Sequence, residues 1–476
     1  MKVSQIQKII SKENELKPEI DEEKAFLKSK RARGKSKPKV NSQKPKKRQR
    51  KKLAPKKKKK EKPSKIDDIS LETISTINTF DEETNPLNLD MLKYSDDIKF
   101  MLEDLYSRGI YFKNMTKFTN SGNDTGLSQE KNLNVKFSNE NLENHINSLD
   151  FSQKINLILD IDETLVFSEM IKVGLESEES SKIFEAFKND EQNNIYYAKV
   201  SQEGRYIIYR IQIRKNMAQF FKALSPYCNF YINSMAHPLY VKEVLKILNK
   251  NYFLDPLLIK DIFYTPSTNR KRVPEEIEKD GNFLILDDNL CAWELCYIPS
   301  IIPTQKFRND EKGVKNVFYQ YYLFSNKIYC YDEVKRPFLD KRNNNIPYCV
   351  ETQKNEMSQL LYIIEIIKKS LLLSKIIEIP IRHCFHFFQN MILKNCRIYY
   401  DGYDNNFILD IINLIGGIFT KNIKDATHIL VNGNIINNEK DLFSYEDKHV
   451  LDIKWIFDCF FYFKKFDEYE GQYKLR

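Results

Sequence analysis

Three short apolar runs constrain the fold of this chain more than any other feature. They are "INLILD" (155–160), "NFYINS" (229–234) and "NFLILDD" (282–288), each ending on polar or acidic residues. Continuous apolar runs of this length read as central strands of a parallel sheet covered on both faces. Helical stretches lie between them: "NMAQFFKAL" after Arg214 and "PLYVKEVLKILNK" after Ser234. "YYAKVSQEGRYIIYRIQI" alternates around Glu203-Gly204, which is a hairpin signal. The pattern predicts an α/β domain reaching to about residue 375.

The first run ends in Asp160-x-Asp162-x-Thr164. In an extended segment residues two apart point to one face, and close like charges resist joint ionisation. A cation between the carboxylates, or a shared proton, would resolve the conflict. Open parallel sheets hold ligands at the carboxyl ends of their strands. The other two runs end there in Ser234 and in Asp287-Asp288, with the basic pair Lys271-Arg272 just upstream of the last. Several carboxylates and only oxygen ligands suit a hard cation, Mg2+ completed by waters, which favours the metal over the shared proton. One carboxylate is then available to attack phosphorus, and another to protonate a leaving alkoxide and later activate water. The metal, a hydroxyl and a lysine would neutralise the phosphoryl oxygens. The chain has no G-x-x-x-x-G-K-[ST] loop. "HCFHFFQN" carries Asn390 where a cysteine-phosphatase loop needs Arg, so Cys384 reads as a buried thiol.

Charge is unevenly spread. Between Lys28 and Lys65 stand 21 Lys or Arg against one acid, Glu61, whereas the whole chain is only +10. Residues 1–66 have almost no periodic apolar pattern and read as a disordered basic tail, serving as a nuclear address or a nucleic-acid contact. Residues 67–139 are polar with helical pieces and suggest no role. Eight cysteines without a C-x-x-C pair fit reduced thiols in the cytosol or nucleus. No signal peptide is expected. The stretch 360–381 is broken by Glu365, Lys368, Lys369, Lys375 and Glu378, so it reads as a core helix and not a membrane span. After residue 386 a second, smaller α/β unit follows. It comprises the helix "FILDIINLI" stopped by Gly416-Gly417, the strands "GGIFT" and "ATHILVNG", and a last helix with Trp455 and Cys459 on one face.

"LILDIDETLVFS" resembles the D-x-D-x-T nucleophile motif of the haloacid dehalogenase superfamily, and in particular its FCP/SCP branch, the phosphatases of the RNA polymerase II carboxy-terminal repeat domain. "YIIYRIQIRKNMAQFFKAL", "FYINSMAHPLYVKEVLKIL" and "LILDDNLCAWE" resemble the other motifs of that branch, in order. The end of the chain resembles a BRCT module through Gly416-Gly417, "DATHILV" and Trp455-x-x-x-Cys459. A catalytic domain followed by BRCT points to the FCP type.

The resemblance implies a haloacid-dehalogenase-like (Rossmannoid) parallel-sheet domain at 140–375 and a BRCT domain at 386–474. It implies a Mg2+-dependent protein serine/threonine phosphatase of the nucleus, acting on the phosphorylated polymerase repeats. Asp160 would be the nucleophile, and Asp162 the acid/base with its backbone carbonyl on the metal. Thr164, Ser234 and Lys271 would serve the phosphate: Thr164 steadying the loop, Ser234 holding a phosphoryl oxygen, and Lys271 pairing with the phosphoryl charge, with Arg272 next to it as the other choice. Asp287 and Asp288 would complete the Mg2+ site. Three departures stand out. Phe167 replaces a common His, Cys291 replaces a further Asp, and the chain ends at "EYEGQYKLR" without the acidic tail through which FCP-type enzymes contact TFIIF. The competing reading is a catalytically inactive scaffold that binds phosphoproteins; the four clustered acids argue against it. Trp293, Trp455 and Cys459 read as packing.

Overall fold

Polar sequence with few apolar side chains folds only where a larger surface receives them. Among the described residues ahead of the first apolar run it does so as three helices, Pro86–Leu92 (α1), Ser95–Ser107 (α2) and Asn139–Ser148 (α3). The structure is a computed structural model that describes residues 86–110, 137–252, 257–266, 269–308, 350–351, 358–400, 405–431 and 447–475. The expectation of a disordered tail over 1–66 falls outside them.

Ile155–Leu159 (β1) has every residue buried and lies at the centre of a five-stranded sheet. After it come Val166–Leu175 (β2), the helix Ser177–Ala186 (α4), Ile195–Gln202 (β3) and Arg205–Ile213 (β4). Strands β2, β4 and β3 form a separate antiparallel sheet. The hairpin turns at Glu203 and Gly204, with φ of 50° and 82°. Two left-handed residues in a two-residue turn match the twist of the flanking strands.

The chain then returns to the main sheet through Met217–Leu224 (α5), Cys228–Ser234 (β5), Pro238–Asn251 (α6), Ile259–Tyr264 (β6), Glu275–Asp280 (α7) and Phe283–Asp287 (β7). Ile301–Pro303 (β8) completes the order β6-β5-β1-β7-β8, with every pairing parallel. The three apolar runs are thus the three central strands. Successive strands move outward on one side of β1 and then resume on the other. This reversal opens a crevice at the carboxyl ends of β1, β5 and β7, where open sheets bind ligands.

Lys306–Phe307 (β9) pairs with Val350–Glu351 (β10). Gln359–Ile377 (α8) is apolar on nearly all sides and largely buried, as a core helix should be. Its buried Lys368 bonds Asp90 of α1 and lies 5.1 Å over the Tyr227 ring, which docks the N-terminal helices on the domain. Among the described residues no helix is long and apolar enough to cross a membrane.

Ile381–Gln389 (α9) leads into a second sheet, Arg397–Tyr400 (β11), Ile418–Phe419 (β12), His428–Val431 (β13) and His449–Asp452 (β14). It is all parallel in the order β12-β11-β13-β14, with helices Asn405–Leu414 (α10) and Lys454–Tyr462 (α11). One apolar core runs from Ile158 and Trp293 of the first unit to Ile412 and Trp455 of the second. Gly416 ends α10 with φ of 82°, and a Cβ there would sit 1.7 Å from the Asn390 carbonyl oxygen. Only glycine fits. The expected effect of Gly416→Ala is a loss of at least about 2 kcal/mol, from left-handed strain plus a backbone clash, measured as a fall in the denaturant midpoint. An unchanged midpoint would contradict this packing.

Candidate active site

The pairing of β1 stops at Leu159, and the next five residues turn. The Ile161 carbonyl accepts from both Leu165 N (2.9 Å) and Val166 N (3.0 Å), and Glu163 is left-handed with φ of 62°. Two-residue alternation therefore does not carry past the strand, and Asp160 and Asp162 take different partners. The Asp160 carboxylate accepts from Lys271 Nζ at 2.6 Å. That of Asp162 accepts from the Tyr240 hydroxyl at 2.5 Å, and Ser168 Oγ lies 2.5 Å from the same phenol oxygen. Three of the expected acids, Asp160, Asp287 and Asp288, come together, all buried, with oxygens within 4.8 Å of one another. The Asp162 carboxylate is not among the three, so a metal role for this residue is left to its backbone carbonyl.

Lys271 is 1% exposed and is locked by backbone bonds to Ala292 and from Glu294. Its ammonium also reaches Asp287 Oδ2 at 2.7 Å. Arg272 points outward to Glu294, 2.5 Å away, so of the basic pair Lys271 is the one that faces the acids. Asp287 is held further by the Trp293 indole N–H (2.8 Å) and the Asn289 backbone N–H (2.7 Å). Trp293 is thus packed in the core and also bonded to the site. The Thr164 hydroxyl donates to Asp288 Oδ1 (3.1 Å) and accepts from Asp288 N (3.0 Å). It ties the β1 loop to the β7 loop. Ser234 ends β5 with its hydroxyl accepting from Ala236 N at 3.1 Å, which leaves its own hydrogen to donate. Phe167 lies under the Arg308 guanidinium at 5.5 Å. The Cys291 side chain is outside the described residues. Cys384 is fully buried in α9, and burial pushes its thiol pKa well up.

Burial governs the electrostatics. It lifts Asp160 well above the usual carboxylate range; Lys271 opposes this, while Asp287 and Asp288 add to it. Burial raises Asp288 to about 6 against the pull of Lys306. Asp162 is raised by burial and held back by its bond from Tyr240. Desolvation works against the Lys271 charge, but Asp160 and Asp287 outweigh it, and its pKa rises.

Lys306 carries no local signal in the sequence, whereas Tyr240 and Arg214 lie within two of the quoted motifs. Tyr240 reaches Asp162 from α6. Lys306 binds Glu163 Oε2 at 2.6 Å and Asp288 Oδ2 at 3.2 Å. Buried Arg214 bonds the carbonyls of Gln305 and Glu163 and pairs with buried Glu351 at 3.8 Å, bracing the same loop from behind.

Residues 155–335 match the model of the family described as NLI interacting factor-like phosphatase. No curated protein matches the chain. One similar solved structure is that of Fcp1, an essential RNA polymerase II CTD phosphatase. It is 16% identical with a TM-score of 0.45, over 68% of this chain and 96% of that one. Another is fission yeast RNA polymerase II CTD phosphatase Fcp1, as an arginine-to-alanine variant bound to beryllium fluoride. It is 15% identical with a TM-score of 0.46, over the same shares. The match to the NLI interacting factor-like phosphatases thus lies on the stretch that carries β1, β5 and β7 and the site acids, residues 155–335.

Proposed function

We propose that this chain is a Mg2+-dependent protein serine/threonine phosphatase that works through an aspartyl phosphate on Asp160. The carrying observation is the trio Asp160, Asp287 and Asp288 gathered around buried Lys271 at the strand-order reversal. Three buried carboxylates share one fully buried lysine, with Lys306 at the rim divided between Asp288 and Glu163, and an oxygen-only donor set of this kind fits a hard divalent cation. Asp160, Asp287, Asp288 and the carbonyl of Asp162 would hold Mg2+, which when bound supplies charge neutralisation at the phosphoryl oxygens and draws Asp160 into its ionised form.

In the first half-reaction an Asp160 oxygen attacks phosphorus, the bond to the seryl oxygen breaks, and Asp162 gives its proton to that oxygen. The raised pKa of Asp162 supports its protonated start. In the second, the Asp162 carboxylate takes a proton from water as the water oxygen attacks phosphorus. The acyl–phosphate bond breaks, releasing phosphate and restoring Asp160. The Ser234 hydroxyl would donate to a phosphoryl oxygen, and the Lys271 ammonium would face the same charge. Thr164 acts on the phosphate site only indirectly, by tying the two loops together.

The substrate we assign is the phosphorylated carboxy-terminal repeat domain of RNA polymerase II, on the strength of the four ordered motifs. The four-stranded parallel sheet with Gly416-Gly417 and buried Trp455 supports a BRCT reading of the C-terminal unit. A nuclear location rests on the basic run, with nucleic acid as a further partner that the test below does not require. The test is phosphate release from singly and doubly phosphorylated repeat peptides, with and without Mg2+. Release that requires Mg2+ is expected. Peptide binding without release at any Mg2+ concentration would favour the inactive scaffold.

A further inference from the structure

Behind the β7 loop lies a cleft of about 300 Å³ between the two units. One wall belongs to the phosphatase domain and is apolar, with Leu290, Ile298 and Ile301. The facing wall comes from the C-terminal unit and carries Asp410 and Leu414 of α10 beside Asn390. Asp410 makes no hydrogen bond or ion pair among the described residues. Burial alone lifts its carboxyl to about 7. Among the described residues no lysine or arginine lines the cleft, and the one histidine that does, His386, is pushed by burial towards the neutral form. A cleft of this size falls at the small-ligand end of binding cavities, which combine apolar walls with a few orienting polar groups. Asp410 is half-buried, and a partly desolvated carboxyl without a partner either holds a proton or is met by a cation.

We propose that this cleft binds a small organic cation, a primary ammonium on an apolar body, with the ammonium on Asp410 and the body against Leu290, Ile298 and Leu414. The amide of Asn390 would flank the head group. Charge complementarity selects the ligand class: a neutral body of the same shape gains the apolar contact only, and an anion meets Asp410 directly. The site is separate from the catalytic crevice, although Leu290 follows Asp288 by two residues, so occupancy would be sensed by the loop that holds the site acids.

The test is a titration of the full chain with benzylamine at pH 8, where a carboxyl lifted to about 7 is ionised, read by ligand-observed NMR against benzyl alcohol and benzoate. Saturable binding of benzylamine is expected, with benzyl alcohol about tenfold weaker, the equivalent of about 1.4 kcal/mol, and benzoate weaker still. Asp410→Asn should bring benzylamine down to the level of the alcohol. Leu414→Trp, which fills the cleft without touching its charge, should abolish both. Equal binding of amine and alcohol, unchanged binding by Asp410→Asn, or no saturable binding of benzylamine would each overturn the proposal.

Discussion

With Asp160 replaced by Asn, phosphate release from a phosphoserine repeat peptide falls at least about a thousandfold, equivalent to a barrier increase of about 4 kcal/mol, and no phosphoryl group is trapped on the protein by rapid acid quench. The amide is nearly isosteric with the carboxylate and keeps the packing, but it cannot form the acyl phosphate. The stability change has the opposite sign to what a structural residue would give. In the folded protein the Asp160 charge is disfavoured by burial and by Asp287 and Asp288. A neutral group there relieves like-charge repulsion, so without divalent cations the variant should melt at or above the wild-type temperature. Lys271 still retains its bond to Asp287. Lost activity with retained stability identifies a chemical role. Activity within tenfold of wild type would remove Asp160 as the nucleophile.

The parts of this arrangement differ in how readable they are, for physical reasons. β1, β5 and β7 are legible because a strand buried on both faces must be apolar throughout, and the acids at their ends stand out by contrast. The edge strands are not. β6, "IKDIFY", is partly exposed and carries Lys260 and Asp261, and β8 is three residues long. The Glu203-Gly204 hairpin is legible because its turn chemistry is local. Where the Asp162 carboxylate points is not, since it depends on where strand pairing gives way to the turn at Ile161 and Glu163, a loop that Arg214 braces from 51 positions away. Tyr240 sits in an ordinary amphipathic helix, with nothing near it to mark its phenol as the partner of an acid 78 positions away. Lys306 meets Glu163 across 143 positions. Trp293 is legible as a packed side chain, but its indole N–H finding Asp287 is not. The resemblance supplied the roles of single residues; the fold supplies their second partners.

Lys271→Met should be the most damaging single change to stability at this site. The ammonium is 1% exposed and bonds Asp160 and Asp287 while lying 5.5 Å over the Trp293 ring. Methionine fills nearly the same volume, so the effect is electrostatic. Three carboxylates within 4.8 Å of one another lose their fully buried cation, whereas Lys306 still serves Asp288 from the rim. Breaking a buried pair by removing one partner typically costs about 3–5 kcal/mol, and with two partners stranded the upper half of that range is expected in divalent-free buffer. A cation that binds the folded state alone stabilises it by mass action. Millimolar Mg2+ should therefore recover more stability in Lys271→Met than in wild type, because in the variant it supplies the missing charge. Phosphate release should stay at least about a hundredfold down even with Mg2+. Arg272→Met is the control. Its exposed pair with Glu294 is worth at most about 1 kcal/mol, and activity should hold within twofold. Were Arg272→Met the more damaging of the two, the assignment of Lys271 to the phosphoryl charge would fall. Were Mg2+ to stabilise both proteins equally, the three acids would not be where the cation binds.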